Sequence, residues 1–598
     1  MLAEAGGRDL VAGHAGAPVV LADPQVAVEF VHRLAGKTVG FDIETYGTSD
    51  HPSAGLDPRV SAIRLAQFCD AQDRSVHVID CRHAGTDWAR HLPAVRLVAH
   101  NASFEISHLQ KLTPERLSFD CTMLAGRVLY GRNRSLKDLV RELLGQDLSK
   151  DLQKSDWSAE HLTAAQIDYA AADAVAALMV WRQLDEMVQG KYRDAYNLLK
   201  ALVYPVACQS GIRLDIDAHD ALVARWTTEI EVARRELAAA GLANPNSTKQ
   251  KQQYLERVLP MDLLADWPPT PTGKLKTDSD TLLGVENVPT AKALAAYSRL
   301  SSYVANFGPK LRNLLVDGHL YPDFKIAGAE TGRFTCSNPN IQNIPRDGFK
   351  HLLLPPSGKV FVGGDLSQIE LRVAGQVCGE EVINQAFRDG RDLHRMMAAN
   401  ITGKLETEIT KEERQMAKAA NFGLLYGSGA LSLREQAEKS YGVTLDLAQA
   451  QEVKAVFHKT YPALTEWQRE IVAETNARGY SESRYVHLTR HYEEDVYTHA
   501  MNFPIQSSAW EVLALAIIYI DLHAIDGVTT SHHVHDEIVL AARPDQIDAA
   551  ALLLRDAFVH GLSKVFPDAP TRGLVEISWG DTWASLGRQD TRLPDACL

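Results

Sequence analysis

Two apolar runs in this chain break off at an aspartate. Residues 359–365 read KVFVGGD, and residues 534–540 read VHDEIVL, in which His535, Asp536 and Glu537 interrupt two apolar flanks. A strand that is buried along its length and polar at its end places that end at a sheet edge facing a cleft. A polar triplet between two strand-like flanks is a turn. Asp365 is therefore expected at a strand end, and Asp536 at a turn between paired strands. Either aspartate alone is more often structural than functional.

Between them lies a third segment, EERQMAKAANFGLLYG, in which Arg414, Lys418, Phe422 and Tyr426 recur every four residues. On a helix each step of four rotates the side chain by only ~40°, so the four share one face. Two cations followed by two aromatics suit a triphosphate followed by a base. Glu370, just after Asp365 in GDLSQIELR, falls at a helix start. Two carboxylates projecting into one cleft can hold two metal ions that clamp the attacking and leaving oxygens of a phosphoryl transfer. Magnesium, which prefers oxygen ligands and substrate phosphates, suits this set, with manganese as a substitute.

The N-terminal third carries a second acidic pattern. FDIET sets Asp42 and Glu44 two apart on a strand, hence on one side. YAAAD sets Tyr169 and Asp173 four apart on a helix. HNASFE contributes Glu105. Four converging carboxylates, Asp42, Glu44, Glu105 and Asp173, would make a second two-metal site that activates water, which Tyr169 can position. Asp120 in SFDCT reads as a supporting carboxylate.

The organisation follows from periodicity. Residues 1–190 alternate strand-like segments (TVGFDIET, RLVAH) with a helical stretch at 161–188, an α/β pattern. Residues 191–320 are largely helical; Leu222, Trp226, Ile230, Ala233 and Leu237 mark one helix face that stops near Gly241. NPNSTKQ reads as a loop and cap, and DWPPTPTGKLKTDSD as an exposed connection. From 321 the pattern is mixed. The formal net charge of −14 argues weakly against a nucleic-acid partner, but the local field governs, and carboxylate metal sites make a chain acidic. Seven cysteines without a CxxC predict neither disulfides nor a thiolate metal site. The apolar run Val512–Ile520 is far short of the ~18 residues of a membrane span. No signal pattern opens the chain, so a cytoplasmic location is expected.

These segments resemble family A DNA polymerases, the group of bacterial DNA polymerase I and several phage replicases. GDLSQIELR resembles that family's first palm motif, RQMAKAANFGLLYG its fingers helix and HDE its last palm motif; TGRFTCSNPNIQNIP, DLHR, NFPIQ, SGIRLD and NSTKQ add to the likeness. The N-terminal pattern resembles the DEDD-type 3′–5′ proofreading exonuclease of the same family. The resemblance implies a multi-domain α/β and α+β fold. An RNase H-like exonuclease domain at 1–190 would precede a right-hand polymerase, with the thumb at 191–320 and the palm at 321–598. The fingers would be inserted at about 380–500.

The resemblance also implies roles. Asp365, Asp536 and the Leu366 carbonyl bind two metals, and Glu537 belongs to the catalytic set. Arg414, Lys418 and His394 contact the triphosphate, and Lys418 donates a proton to pyrophosphate. Phe422 and Tyr426 pack on the nucleotide and template base, and Glu370 rejects a 2′ hydroxyl. Arg333, Asn502, Gln506 and His535 follow the primer and minor groove. Implied partners are primer-template DNA and dNTPs, with a replicative helicase and primase beside them; the chain would act as a monomer, without a processivity-factor insertion. No 5′ nuclease domain is expected, which resembles a phage-type replicase working in a host cytoplasm.

Departures from the family pattern are Glu105 for the usual aspartate, Leu366 for an aromatic, Tyr497 and Thr498 for a Glu-Arg pair, and Ser507 for glycine. SRYVHLTRHYEE also replaces a Gly-Arg-Arg turn. The competing readings are a weak or inactive exonuclease, a single-subunit RNA polymerase, which Glu370 argues against, and a non-catalytic DNA-binding scaffold, which should have lost a palm carboxylate or Lys418.

Overall fold

The structure, a computed structural model, describes residues 17–586 except 266, 284, 286, 287, 290, 346, 347, 494 and 495. The opening stretch read for a signal, up to residue 16, lies outside the described residues, as do Asp266 and Glu494.

The N-terminal unit is built on a six-stranded sheet. Its order is Val19–Leu21, Val76–Asp80, Ser61–Asp70, Thr38–Gly47, Arg96–Ala99 and Ser118–Cys121. Thr38–Gly47 pairs antiparallel with Ser61–Asp70 and parallel with Arg96–Ala99, so it is interior. The helix expected at 161–188 runs Ala164–Met187. Its start is set by Thr163, whose hydroxyl accepts from the Gln166 N–H while the Gln166 side chain returns to Thr163, a capping box. This helix lies directly on the sheet at Gly40. A Cβ there would collide with the Ala174 carbonyl oxygen and sit 2.8 Å from Leu178 Cβ. The missing side chain lets Asp173 approach the strand that carries Asp42.

The next segment is helical: Lys191–Ala201, Val203–Ala207, Ile216–Ala239, Thr248–Val258 and Lys292–Phe307. Asp215 and Ser247 cap Ile216–Ala239 and Thr248–Val258, as their side-chain oxygens accept backbone N–H bonds. The 24 residues of Ile216–Ala239 span ~36 Å, long enough to leave the main body. Its apolar stripe accordingly divides. Leu222 and Trp226 join the main core, whereas Ala233 and Leu237 pack in a smaller core with Leu255, Trp267 and Leu294.

The C-terminal unit holds a four-stranded antiparallel sheet in the order Thr529–Val534, Glu537–Ala542, Val360–Leu366, Val575–Gly580. Helix Ile547–Val565 covers it; a Cβ on Gly364 would lie 3.0 Å from the Phe558 ring. Helices from Glu381–Asp389 to Pro462–Arg478 are inserted between Val360–Leu366 and Thr529–Val534. Helix Tyr497–Leu522 is long and apolar enough to cross a membrane by length and composition, but most of its apolar stretch is buried inside the protein. The run Val512–Ile520 understates it, because Asn502, Gln506, Ser507 and Ser508 interrupt the apolar pattern without ending the helix.

Candidate active sites

Register builds the first site. Strand Val360–Leu366 places Asp365 opposite Glu537 on one side and Glu576 on the other. The turn before Glu537 is tight, with His535 at φ +54°, and the Leu366 N–H donates to the Asp536 carbonyl at 3.1 Å. That bond holds the turn against the end of the central strand, so Asp365 and Asp536 meet in one cleft. Desolvation by the surrounding protein, then Glu537, Asp536 and Glu576, push the pKa of Asp365, an exposed residue at the strand end, up to about 7. Burial pushes Asp536 up to about 6; Arg333 opposes this and Glu370 adds to it.

The cleft has a volume of about 490 Å³. Its lining includes Asp365, Leu366, Glu370, Asp536 and Glu576 from the sheet and its flanking turns and helix, and His394, Arg414, Lys418 and Phe422 from the inserted helices. Thr410 and Glu413 form a capping box that starts helix Lys411–Leu425, fixing the phase in which Arg414, Lys418 and Phe422 face the acids. Lys418 forms no ion pair among the described residues. Arg414 Nε donates to Asp392 Oδ2 at 2.6 Å, and Asp392 also caps helix Leu393–Thr402. His394 is buried, its Nδ1 lies 3.0 Å from Asn421 Nδ2, and its ring centroid is 5.6 Å from that of Phe422. Burial lowers its pKa to about 4, against the pull of Asp392.

Three expectations are changed by the structure. Tyr426 stands one residue beyond the helix and does not line the cleft; its hydroxyl donates to Glu370 Oε2 at 2.5 Å, while Arg333 Nη2 donates to Glu370 Oε1 at 2.5 Å. Tyr426 is the C-cap of that helix, and its hydroxyl is taken by Glu370. Glu537 also lies outside the cleft lining. Trp583 Nε1 donates to its Oε2 at 3.0 Å and Lys350 lies 3.9 Å away, so its carboxylate is engaged by those partners on the sheet face it shares with Asp365. Asn502 and Gln506 are not among the residues that line the cleft: Gln506 bonds the Tyr426 side chain, and the Asn502 Oδ1 is buried without a partner among the described residues. Arg333 and His535 do line the cleft; Glu370 and Asp536 hold the Arg333 pKa above its ordinary value against the cost of burial. Glu576 escaped the sequence reading. Its only signal is alternation within VEISWG, which becomes informative once the register beside Asp365 is known.

The departures have local explanations. Glu511, fully buried, accepts from the Ser483 hydroxyl at 2.6 Å, the Tyr485 N–H at 3.0 Å and the Val486 N–H at 2.9 Å. This carboxylate shapes the loop that replaces the Gly-Arg-Arg turn. Tyr497 is exposed at a helix start, and Ser507 is buried.

The second site unites Asp42, Glu44 and Asp173, whose ligand oxygens lie within 4.8 Å of one another. Lys150, unsuspected from the sequence, places its ammonium 3.0 and 2.9 Å from the two Asp173 oxygens. Burial and mutual repulsion still raise the pKa values of Asp42 and Glu44, against the pull of Lys150; burial raises that of Asp173. Tyr169 is buried beside them and bonds Asp173. The expected fourth carboxylate is close enough to Asp42 to be repelled by it, but is not one of that group. Glu105, 3% exposed in the first turn of helix Ala102–Leu109, lies outside the three-residue group; burial and then Asp42 raise its pKa, and its Oε2 has no partner among the described residues. Asp120 lies elsewhere, accepting from Tyr196 at 2.8 Å and Lys200 at 3.0 Å and pairing with Arg96. Three carboxylates with raised pKa values facing one lysine suit a divalent cation, which would supply the charge they lack.

A cleft with paired aspartates facing cations, joined to a separate carboxylate cluster on an α/β sheet, defines a nucleotidyl-transfer enzyme coupled to a nuclease. Residues 217–585 match DNA polymerase family A, and residues 19–189 match the 3′–5′ exonuclease family. The chain belongs to DNA polymerase family A: it is a DNA-directed DNA polymerase with a 3′–5′ exonuclease domain, and both families imply divalent metals. It is similar to DNA polymerase I of Aquifex aeolicus, 30% identical over 550 residues that cover 87% of this chain and 93% of that protein. It is also similar to the thermostable DNA polymerase I of Thermus aquaticus, 28% identical over 68% of this chain and 50% of that protein, so the chain spans about half the length of that relative. The POL domain of Pol1 from M. smegmatis, solved in complex with DNA primer-template and dNTP, has the same fold. Its TM-score is 0.75 at 21% identity, covering 95% of this chain and 99% of that one.

Proposed function

We propose that the palm cleft adds dNTPs to a primer 3′ end on a DNA template, and that the N-terminal cluster removes mispaired 3′ ends, with magnesium as the working metal. The carrying observation is one cleft lined by Asp365 and Asp536 together with Arg414, Lys418 and Phe422. Asp365, Asp536 and the Leu366 carbonyl would hold metal there, and Asp42, Glu44 and Asp173 would hold it in the exonuclease. A bound divalent cation supplies activation of the attacking oxygen and neutralisation of the leaving one.

The chain's own residues do the rest. Lys418 and Arg414 bind the triphosphate, and Lys418 can pass a proton to pyrophosphate. His394 contributes a hydrogen bond, and Phe422 stacks on the base. Glu370, pinned by Arg333 and Tyr426, is a rigid floor under the sugar that leaves no place for a 2′ hydroxyl. Arg333 and His535 follow the primer. Glu537 supports Asp365 through the strand register, and Tyr169 positions water. In domain terms, 1–190 is the exonuclease, 191–320 the thumb and 321–598 the palm, with fingers at about 380–500.

A second reading, a weak exonuclease, is favoured by the Lys150–Asp173 pair. Primer extension and mismatch removal, each with and without magnesium, decide. Asp536→Asn should abolish extension while primer-template binding persists; extension that survives refutes the metal assignment. A wild-type enzyme that never shortens a mispaired end establishes the second reading.

A further inference from the structure

We infer that Arg127, a residue of the exonuclease domain, positions the sugar-checking carboxylate of the polymerase cleft. Arg127 lies on helix Thr122–Tyr130 and is 1% exposed. Its guanidinium points out of its own domain. Nε donates to the Ala327 carbonyl at 3.2 Å, and Nη2 donates to the carbonyls of Ala329 at 3.3 Å and Glu330 at 3.0 Å.

Those carbonyls belong to the turn that delivers Arg333. The turn closes through the Ala329 N–H donating to the Arg333 carbonyl at 3.0 Å and the Gly332 N–H donating to Ala329 at 3.0 Å. Ala327 has φ +50° and Gly332 φ +83°, so a residue with a side chain already occupies the left-handed region. A non-glycine residue there persists only when its surroundings over-determine it. Arg127 supplies that constraint from one side. On the other, a Cβ on Gly332 would lie 2.6 Å from Leu488 Cδ2, and Arg490 pairs with the Glu330 carboxylate. Gly131, just past the Arg127 helix, packs on strand Thr489–His491, which carries Arg490: a Cβ there would lie 3.5 Å from Arg490 Cα. Three residues after Glu330, Arg333 donates to Glu370, which also takes the Tyr426 hydroxyl. The path is continuous: Arg127, the turn at 327–333, Arg333, Glu370. A buried guanidinium is costly unless bonded, and the bonds Arg127 makes are to the polymerase turn.

The inference rests on the proposed reading of Glu370 as the sugar check, and the experiment separates the two. Full-length protein in an Asp42→Ala background, which silences degradation, is assayed for the ratio of kcat/KM with dNTP to that with rNTP. Glu370→Ala is the reference. Arg127→Met, which leaves three carbonyls without their donor, should relax the ratio on the order of tenfold to a hundredfold, the scale of a ~1 Å misplacement. Arg127→Lys, which keeps the charge and can reach one acceptor, should fall between. With Asp42 intact, degradation of single-stranded DNA by Arg127→Met should match wild type.

If Glu370→Ala leaves the ratio unchanged, the sugar-check reading fails. If Glu370→Ala relaxes it and Arg127→Met does not, or if Arg127→Met lowers both substrates equally, the inference is overturned. Should Arg127→Met prove too unstable to purify, Arg127→Lys decides by the same criteria.

Discussion

Gly40→Ala tests how the exonuclease site is assembled without touching a carboxylate. Gly40, Asp42 and Glu44 occupy the same face of strand Thr38–Gly47, beneath helix Ala164–Met187. A methyl group on Gly40 would lie 2.8 Å from Leu178 Cβ and 3.1 Å from the Ala174 carbonyl carbon, and would collide with its oxygen. Relief to ordinary carbon–carbon contact, roughly 3.5–4.0 Å, requires the helix to move out by ~1 Å. Asp173 is the neighbour of Ala174 and moves with it, away from Asp42 and Glu44. A misplacement of ~1 Å can cost about a hundredfold in rate, equivalent to ~2.7 kcal/mol of barrier. Overpacking adds a stability loss of about 1–3 kcal/mol. The assay follows removal of a mismatched 3′ nucleotide in single turnover, with primer extension and a thermal melt on the same preparation. Degradation should fall about a hundredfold while extension is preserved. Wild-type degradation in Gly40→Ala would refute the argument that this glycine sets the distance between Asp42 and Asp173.

Two further outcomes follow from the electrostatics. In an Asp536→Asn background, Lys150→Met should tighten Mn²⁺ binding at the Asp42, Glu44 and Asp173 cluster by tenfold or more. A charge at 4 Å is worth about 4 kcal/mol at an effective dielectric constant of 20, and the ammonium and the metal compete for Asp173; unchanged affinity by calorimetry would exclude that competition. In the palm, Asp365 and Asp536 have pKa values raised to about 7 and about 6, so without metal the folded protein binds more protons than the unfolded chain between about pH 4 and 7. Their contribution to metal-free stability is thus complete below pH 4 and lost as pH rises through 7. Metal must displace those protons, so Mn²⁺ affinity in an Asp42→Ala background should climb as pH rises from 5 to 8; a flat profile by titration would contradict the shifts.

Much of both sites was legible because it depends on local periodicity. The two-residue repeat of a strand puts Asp42 and Glu44 on one side. The four-residue repeat of a helix aligns Arg414, Lys418 and Phe422, and all three line the cleft. The same rule misled at Tyr426, because the bond its hydroxyl makes to Glu370 is a tertiary contact that spacing does not report. Glu105 matched its motif by position, yet only the packing of helix Ala102–Leu109 determines where its carboxyl ends.

Asp365 and Asp536 stand at the ends of their apolar runs whatever the rest of the chain does, since burial of Val360–Gly364 and Ile538–Ala542 leaves their polar ends outside. That much the sequence determined alone, together with the helix that faces them and the strand pair of the second site. Tertiary structure decided which groups share those sites. Register brought Glu576 beside Asp365, a lysine from a connecting segment reached Asp173, and an arginine of one domain came to hold a turn of the other. The physical reason is range: dihedral periodicity acts over a few residues, whereas pairing register and close approach are set by packing among segments hundreds of residues apart.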